Sequence, residues 1–294
     1  MAAAAPLILL TGATGFVGSH VLRELLRHHC RVRAVVRAGS QDRLAMRDAV
    51  ESVVASSDIW RETAAWWTQA CGGVDTVIHV AWHVEPGEYL HSPRNRDCLA
   101  GTLRLAEGAI AARVRRFIGV GTCFEYDLGV DRLNIDTRLK PSTPYAAAKA
   151  EAFNALSALL PRYRLEFAWC RLFYLYGEGE DRRRLVPYLR ARLAAGEPAE
   201  LGSGDQVRDY LEVGEAARRV VDAALGTMRG PVNICSGRPV TVRQVAEQVA
   251  DEYGRRDLLH FGARPDNPAD PPCVVGVPTG LTAPESPCGL VNPC

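Results

Sequence analysis

The segment TGATGFVGSHV restricts the fold of this chain more than any other stretch. It follows the β-rich run PLILLT directly and opens the amphipathic helical pattern GFVGSHVLRELLRHH. Its glycines, Gly12, Gly15 and Gly18, have the spacing GxxGxxG rather than GxGxxG. Glycines at a strand-to-helix junction permit a tight turn and let a pyrophosphate approach the helix N-terminus closely. A plain tight turn is the alternative, but the position at the first such junction favours a dinucleotide site, which would include Phe16 and Val17.

Strand and helix patterns alternate through the first half of the chain. RVRAVV, DTVIHVA and RRFIGVGT are typical of strands, whereas WRETAAWWTQA, CLAGTLRLAEGAIAA and YAAAKAEAFNALSALL are typical of helices. This alternation predicts an α/β fold of the Rossmann type, with a doubly wound parallel sheet and a small C-terminal substrate lobe. We expect the dinucleotide-binding domain in residues 1–177, the interleaved lobe mainly in 178–266, and an irregular tail, truncated or altered, in 267–294.

The second half has looser spacing between its elements. RLEFAWCRLFYLYG is predicted to be one strand and VRDYLEV a short strand. Helical patterns occur in RRRLVPYLRARLAAG and GEAARRVVDAALG, while VNICSG followed by VTVRQVAEQVADEYG indicates one more strand–helix unit.

Composition narrows the class of function. A net charge of +1 gives no electrostatic basis for binding nucleic acid or an anionic membrane. No stretch approaches the ~18 uninterrupted apolar residues of a membrane span. The nine cysteines lack the spacing of a metal site and lie mostly in apolar patterns, as expected for reduced core cysteines. We therefore expect a cytoplasmic protein with no metal.

The residue that follows the second predicted strand bears on the choice of dinucleotide. An acidic residue at this place would bind the ribose hydroxyls of NAD, whereas Arg37 suits a 2′-phosphate. Asp42 comes too late in the chain to take that place. An exposed loop arginine is the alternative, but the position favours NADP(H) over NAD(H).

A tyrosine and a lysine lie four residues apart in TPYAAAKAEAF. Most such pairs are merely neighbours on a solvated helix face. A phenol with an ordinary pKa of ~10 is a poor acid–base group at neutral pH, and a cation one turn away favours its ionised form. Tyr145 and Lys149 are therefore a candidate acid–base pair, although the spacing alone does not decide.

Five motifs in order, TGATGFVGSHV, TVIHVAW, FIGVGTCFEYD, YAAAK and RLFYLYGEG, resemble those of the extended short-chain dehydrogenase/reductase family. This family comprises NAD(P)-dependent nucleotide-sugar epimerases, dehydratases and reductases. The resemblance runs from residue 7 to about residue 266. It implies that Tyr145 exchanges a proton with the substrate oxygen, that Lys149 lowers the pKa of Tyr145 and holds the nicotinamide ribose, and that Thr122 hydrogen-bonds the substrate oxygen.

Further cofactor contacts follow from the same resemblance. Asp58 and Ile59 resemble the pair that flanks the adenine, and Ala81 ends a strand against the cofactor. The family usually has an asparagine three residues before the Gly-Thr of the next helix. Cys98 stands there in this chain, and Asn95 lies one turn earlier.

The C-terminal part resembles the nucleotide-sugar lobe of the family in LVP and GSGDQVRDYLEV. Arg208 is the best candidate for binding the diphosphate, because a guanidinium fork matches phosphate oxygens. Asn233 and Arg264 are further substrate-binding candidates, and His83 is expected in the pocket wall. Tyr174 stands where many epimerases have an asparagine that contacts the diphosphate.

Two residues beside Thr122 separate the activities within the family. The 4,6-dehydratases have Asp and Glu there, whereas this chain has Cys123 and Phe124. Phenylalanine cannot act as a general acid or base, so water elimination is disfavoured. The sequence favours an NADPH-dependent reductase of a 4-keto-6-deoxyhexose linked to a nucleoside diphosphate, with dTDP expected.

Alternatives remain open at this stage. A sugar 4-epimerase is one, and Arg37 argues against the bound NAD that it would keep. A ketoreductase for an aromatic or polyketide-derived ketone is another, with Trp82, His83 and Tyr89 lining the pocket. A non-catalytic dinucleotide-binding protein and an inactive product of a damaged gene are the others.

The helices at 98–112 and from Tyr145 are expected to form the interface of a homodimer.

Overall fold

The computed structural model describes residues 5–268 and 270–280. The strands are β1 Leu7–Thr11, β2 Arg31–Arg37, β3 Ser52–Ser56, β4 Thr76–His79, β5 Arg116–Thr122, β6 Glu166–Leu172, β7 Tyr174–Tyr176, β8 Ala199–Glu200, β9 Val207–Arg208, β10 Tyr210–Glu212, β11 Gly230–Ile234, β12 Val240–Thr241, β13 Leu259–His260 and β14 Cys273–Val274. The helices are α1 Phe16–Arg27, α2 Ala64–Ala70, α3 Arg94–Ala111, α4 Pro144–Leu159, α5 Leu185–Ala194, α6 Val213–Leu225 and α7 Val242–Asp251. Within the described ranges, none of these helices is both long enough and apolar enough to cross a membrane.

A seven-stranded sheet forms the centre of the molecule, in the order β11-β6-β5-β4-β1-β2-β3. Every pair of neighbours in it is parallel. Parallel neighbours require crossover connections, and helices provide most of them on both faces, whereas β2 and β3 are joined by a segment with only short 3-10 turns. This arrangement confirms the predicted doubly wound α/β fold.

Alternate residues of the central strands fill two separate cores. On β1, Ile8 and Leu10 join the core under α1 and α6, whereas Leu7 and Leu9 join the core under α2, α3 and α4. The two faces alternate because successive side chains of a strand point to opposite sides. Both faces of the sheet are thus covered with apolar side chains, and polar groups that bind ligands are left to the sheet's edges.

The third strand of the sheet, SVVAS, escaped the sequence analysis. It lies at the edge of the sheet, where β2 is its one partner among the described residues, from Arg33 opposite Ser52 to Arg37 opposite Ser56. Four of its five residues are partly or fully exposed. An edge strand of this kind lacks a continuous apolar run, which explains why its pattern is weak.

Two predicted strands are each divided in the structure. RLEFAWCRLFYLYG contains β6 and β7, which break at Phe173 and belong to different sheets. VRDYLEV contains β9 and β10, which also belong to different sheets. β10 pairs in parallel with β7, with Tyr210 opposite Tyr174. The chain therefore leaves the central sheet at Phe173 to form a two-stranded sheet from β7 and β10.

The small lobe is interleaved with the central domain. α5 and α7 enclose a separate core that includes Val186, Leu189 and Val249. In contrast, β11 extends the central sheet, and α6 packs against α1. The predicted lobe region, 178–266, thus contributes to both parts of the fold, but the boundaries themselves stay a prediction.

Part of the predicted irregular tail is ordered. β14 pairs in parallel with β9, and Gly276 forms a bridge with Leu133. Residues 281–294 of that tail lie outside the described residues. The tail segment was predicted as irregular because strands of two residues leave no periodic signal.

The glycine turn needs glycine at two positions. Gly12 has a φ of +77°, and a Cβ there would lie 2.8 Å from the backbone nitrogen of Ala81. A Cβ on Gly18 would lie 2.0 Å from the carbonyl oxygen of Gly12. At Gly15 a Cβ would meet its nearest neighbour at 3.4 Å, an ordinary contact. Gly12 and Gly18 are thus required for the fold, whereas Gly15 is not.

We expect Gly18→Ala to destabilise the fold by about 1–3 kcal/mol or more, because the added methyl overlaps a backbone carbonyl that cannot move freely. Gly15→Ala in the same turn is the matched control and should be tolerated. Thermal and urea unfolding without cofactor would measure the difference. Equal stability of the two variants would show that the turn is not as tightly packed as described.

Candidate functional site

The carboxyl ends of β1 and β4 lie side by side and are tied by side chains. His79 Nδ1 lies 2.8 Å from the Thr11 hydroxyl, and His79 Nε2 lies 2.9 Å from the Thr102 hydroxyl. The Ala81 N–H donates to the Thr11 hydroxyl at 3.2 Å. Burial lowers the pKa of His79 to about 3, so the ring is neutral. This network fixes Ala81 against the glycine turn.

The N-terminus of α1 opens towards this edge. Gly15 is its N-cap, and no side chain in the described part of the chain caps the helix there. The first-turn N–H groups of a helix are suited to bind a phosphate, and the missing Cβ of Gly12 leaves room for close approach. The turn therefore fits a dinucleotide pyrophosphate, with Phe16 and Val17 in the first turn of the helix.

The predicted adenosine contacts lie along the next two strands. Arg37 is the last residue of β2 and is exposed. Asp58 follows β3, and its carboxylate accepts the Trp60 N–H at 3.0 Å and faces Arg61 at 3.7 Å. Ile59 packs against the aromatic cluster that includes Trp60. These positions are compatible with the predicted roles, which stay predictions.

Thr122 and Tyr145 meet at the end of β5. Thr143 caps α4 and Pro144 starts it, which places Tyr145 in the first turn. Burial raises the pKa of the Tyr145 phenol well above its usual range, the neighbouring Tyr89 adds to this, and a hydrogen bond with the Thr122 side chain opposes it. The phenol is therefore protonated at neutral pH and held by Thr122.

Lys149 lies one turn further along α4 and is also buried, at 3% exposure. Its Nζ donates to the Val120 carbonyl at 2.6 Å and lies 3.8 Å from the centre of the Trp82 ring. Burial lowers the pKa of Lys149 to about 7, while Glu125 and Cys98 oppose this shift. The structure thus brings together Thr122, Tyr145 and Lys149 at the end of β5. The expectation that the pKa of Tyr145 is lowered is not met, because burial raises that pKa.

Glu125 is a residue of this site that the sequence analysis did not select. It is fully buried, and its carboxylate accepts the Thr122 N–H at 2.9 Å, the Trp169 Nε1–H at 2.9 Å and the Arg171 Nε–H at 2.7 Å. Arg171 in turn donates to the Tyr126 hydroxyl at 2.9 Å. The available signal was an acidic residue inside the otherwise apolar run FIGVGTCFEY.

The two residues that follow Thr122 offer no acid–base group. Cys123 is buried, and burial raises the pKa of its thiol far above the usual range. The Phe124 ring packs edge-on against Tyr174, with ring centroids 6.0 Å apart. Tyr145 is therefore the group beside Thr122 that can carry a proton to a substrate.

Two of the predicted substrate residues, Arg208 and Arg264, face carboxylates of the protein itself. Arg208 is buried, and its Nη2 pairs with Asp270 at 2.6 Å, so a diphosphate would have to replace that carboxylate. Arg264 is on the small lobe, where its side chain reaches the Tyr188 hydroxyl at 3.2 Å and faces Glu200 at 3.7 Å. These two arginines stay candidates for binding an anionic substrate.

Asn233 and His83 differ in whether their side chains are free to hydrogen-bond a substrate. Asn233 accepts from the Tyr126 hydroxyl and donates to the carbonyls of Leu133 and Val277, and it is 1% exposed. Its amide is thus occupied within the protein, which argues against the predicted contact with substrate. The His83 Nε2 is buried and has no hydrogen-bond partner among the described residues. A pocket-wall role for His83 stays a prediction.

Known proteins resemble this chain along most of its length. A sequence model of the NAD dependent epimerase/dehydratase family matches residues 8–235. The dTDP-6-deoxy-L-talose 4-dehydrogenase (NAD(+)) of Aggregatibacter actinomycetemcomitans is 22% identical over 278 residues, which are 92% of this chain and 98% of that protein.

Two further proteins extend the comparison. A trifunctional UDP-glucose 4,6-dehydratase/UDP-4-keto-6-deoxy-D-glucose 3,5-epimerase/UDP-4-keto-L-rhamnose-reductase of Arabidopsis thaliana is 27% identical over 84% of this chain, which spans 39% of its length. The solved UDP-N-acetylglucosamine 4-epimerase of Methanobrevibacter ruminantium M1, in complex with UDP-N-acetylmuramic acid, superposes with a TM-score of 0.83 at 21% identity, covering 94% of this chain and 90% of that one. This last likeness concerns the fold.

We expect Glu125→Ala to lower the free energy of unfolding by about 3–5 kcal/mol, because Arg171 would be left buried without its counter-ion. Glu125→Gln should cost less, since its amide oxygen can still accept the Thr122 N–H. Urea unfolding would measure both. Glu252→Ala, which removes the exposed ion pair with Arg190, is the control and should change the stability little. A Glu125→Ala protein as stable as the parent would contradict the buried ion pair.

Proposed function

The chain belongs to the NAD dependent epimerase/dehydratase family, and from that premise we propose that it is an NADPH-dependent reductase. Its substrate would be the 4-keto group of a 4-keto-6-deoxyhexose linked to a nucleoside diphosphate, with dTDP as the expected nucleotide. The observation that supports this most is the hydrogen bond between the Tyr145 and Thr122 side chains, next to Cys123 and Phe124, which offer no acid or base at neutral pH.

The side chains of the site that can donate or accept a proton favour ketone reduction over water elimination. Elimination of water needs one group to remove a proton from carbon and another to protonate the leaving hydroxyl. Cys123 keeps its proton and Phe124 has none to give. Reduction needs a single proton for the ketone oxygen, and Tyr145 is held in the form that can donate it.

The chemistry assigned to the chain's own residues is short. NADPH supplies the hydride when it is bound. Thr122 and Tyr145 hold the ketone oxygen by hydrogen bonds, and the Tyr145 hydroxyl gives its proton to that oxygen as the alcohol forms. The nearby Lys149 cation stabilises the phenolate that remains. The apolar side chains around the pair, Trp82 and Tyr89, exclude water from the reacting atoms.

Two relatives support the class of substrate. The bacterial relative, which this chain matches over 98% of that protein's length, is named for oxidation at the 4-position of a dTDP-6-deoxyhexose. The plant relative's name includes a reductase of a UDP-4-keto sugar. Reduction of a 4-ketone is the reverse of the first reaction and of the same type as the second. For the nucleotide itself, Arg208 is the proposed diphosphate contact, released from Asp270 when the substrate binds.

The proposal is tested by incubating the protein with NADPH and a panel of dTDP-4-keto-6-deoxyhexoses, followed by product analysis. Loss of NADPH absorbance together with a dTDP-6-deoxyhexose product supports it. Interconversion of 4-hydroxy sugars with NAD and no net reduction would replace it with an epimerase. Reduction of aromatic ketones alone would replace it with the alternative ketoreductase. The expected homodimer and cytoplasmic location stay predictions.

We expect Tyr145→Phe to reduce kcat by about 10²–10⁴-fold, the usual worth of general acid catalysis, and to leave NADPH binding nearly intact. Only the phenolic oxygen is lost, so the ring still fills its place. Steady-state kinetics and cofactor titration would measure the two effects. Tyr163→Phe, which alters an exposed tyrosine, is the control. A Tyr145→Phe enzyme that keeps most of its activity would mean that the proton comes from elsewhere.

We expect the parent protein to bind NADPH more tightly than NADH, and Arg37→Ala to weaken NADPH selectively. A hydrogen bond to a charged group contributes about 1.5–3 kcal/mol, which here would be that between the guanidinium and the 2′-phosphate. Isothermal titration with both cofactors would check this. Arg162→Ala, in the exposed turn that follows α4, should have no effect. Equal binding of both cofactors would refute this preference. The bacterial relative named for NAD(+) shows why that outcome has to be tested.

A further inference from the structure

Lys149 is a buried cation without a carboxylate partner. It is 3% exposed, and within the described part of the chain no carboxylate lies at ion-pair distance from its Nζ. Basic residues of this chain are nearly all arginine, since only two of its 35, Lys140 and Lys149, are lysine. A lysine, unlike an arginine, can lose its charge when it is buried. The charge on Lys149 therefore depends on the groups in direct contact with its ammonium group.

The neighbours of the Lys149 ammonium are a carbonyl and an aromatic face. The Val120 carbonyl accepts at 2.6 Å, and the centre of the Trp82 ring lies 3.8 Å from the nitrogen. Trp169 is more distant, at 5.7 Å. Tryptophan gives the strongest attraction between a cation and an aromatic ring, and the attraction grows when water is excluded. Trp82 itself is 9% exposed.

The Trp82 ring is held in position by Asn95. The indole Nε1–H donates to the Asn95 Oδ1 at 2.9 Å, and the Asn95 Nδ2 donates to the carbonyls of Tyr89 and Ser92 at 2.7 and 2.9 Å. Asn95 is 1% exposed. Because two backbone carbonyls hold the Asn95 amide, and that amide holds the indole N–H, the indole has little freedom to turn its face away from Lys149.

The titratable groups that surround Lys149 leave little negative charge for it. Cys98 on α3 and Tyr145 on α4 both have a raised pKa and are neutral, and the lowered pKa of His79 on β4 makes that ring neutral too. Glu125 is the carboxylate of the group, and it already pairs with Arg171 and accepts hydrogen bonds from Trp169 and Thr122.

We propose that Trp82, oriented by Asn95, is a positioning residue that keeps the Lys149 ammonium charged and fixed at the catalytic end of β5. Its ring face replaces the missing carboxylate partner. The consequence for catalysis rests on the proposed function, in which the Lys149 cation stabilises the Tyr145 phenolate. Without the ring face, the buried amine would lose its proton at a lower pH.

The two lysines allow this to be measured directly by NMR. Protein labelled with [13Cε]lysine should give two side-chain signals, one from Lys140, whose side chain is 66% exposed, and one from Lys149. A Lys140→Arg variant assigns them. A pH titration then reports the pKa of Lys149, and the signal of the exposed Lys140 serves as the internal reference. This readout needs neither cofactor nor substrate.

Fluorination of tryptophan separates the ring's electrostatic effect from its packing. Growth on 5-fluorotryptophan places a fluorine atom on all five tryptophans. The fluorine withdraws electron density from the ring face and keeps the shape of the ring. We expect the pKa of Lys149 to fall by about half a unit in the parent. In a Trp82→Phe background, fluorination should cause no change. In Asn95→Leu, whose indole is released, the fall should be smaller than in the parent.

An unchanged or raised pKa of Lys149 after fluorination of the parent overturns the proposal. So does an equal fall in the Trp82→Phe background, which would assign the effect to Trp169. If Trp82→Phe does not fold, the comparison between the parent and Asn95→Leu decides. In kinetic assays, the basic limb of the pH profile of kcat/KM should move to lower pH on fluorination. A parent protein that reduces no ketone refutes the proposed function alone, because the NMR result stands without turnover.

Discussion

The buried carboxylate of Glu125 connects the parts of this structure on which the site depends. It caps the turn that presents Thr122, accepts the indole N–H of Trp169 from β6, and pairs with Arg171 on the same strand. A buried ion pair of this kind is maintained only when its remaining hydrogen-bonding capacity is satisfied, and three donors satisfy Glu125 here. The turn that follows Thr122 is therefore anchored in the core through Glu125, and this fixes the position of Thr122.

The same network extends into the C-terminal region. Arg171 donates to the Tyr126 hydroxyl, and Tyr126 donates to Asn233 at 2.7 Å. Asn233 holds the backbone near Val277, so a segment predicted to be irregular is attached to the centre of the fold. Asn233 serves this connection, which is why its amide is not open to a substrate. A single chain of buried hydrogen bonds thus joins the proposed reaction centre to the backbone near Val277.

Burial also determines the protonation of the groups at the carboxyl edge of the sheet. It disfavours charge on each of them, so His79 and Tyr145 are neutral and Lys149 is close to losing its proton. A neutral phenol can donate a proton. The charge of a lysine whose pKa lies close to neutral pH responds strongly to its surroundings. Trp82 and Tyr89 pack in one cluster with Tyr145 and contribute to this burial.

The amino-acid sequence by itself determined the fold class, the glycine turn and the candidates Thr122, Tyr145 and Lys149, because hydrophobic periodicity and short motifs are local properties that a single chain displays. The edge strand SVVAS, the break at Phe173 and the strand at Cys273–Val274 were missed, since their pairing depends on distant segments and leaves little periodic signal. Only the tertiary structure decided that Glu125 is the counter-ion of Arg171 and that Lys149 rests on Trp82. Those contacts join residues 46 and 67 positions apart in the sequence, and packing alone brings them together.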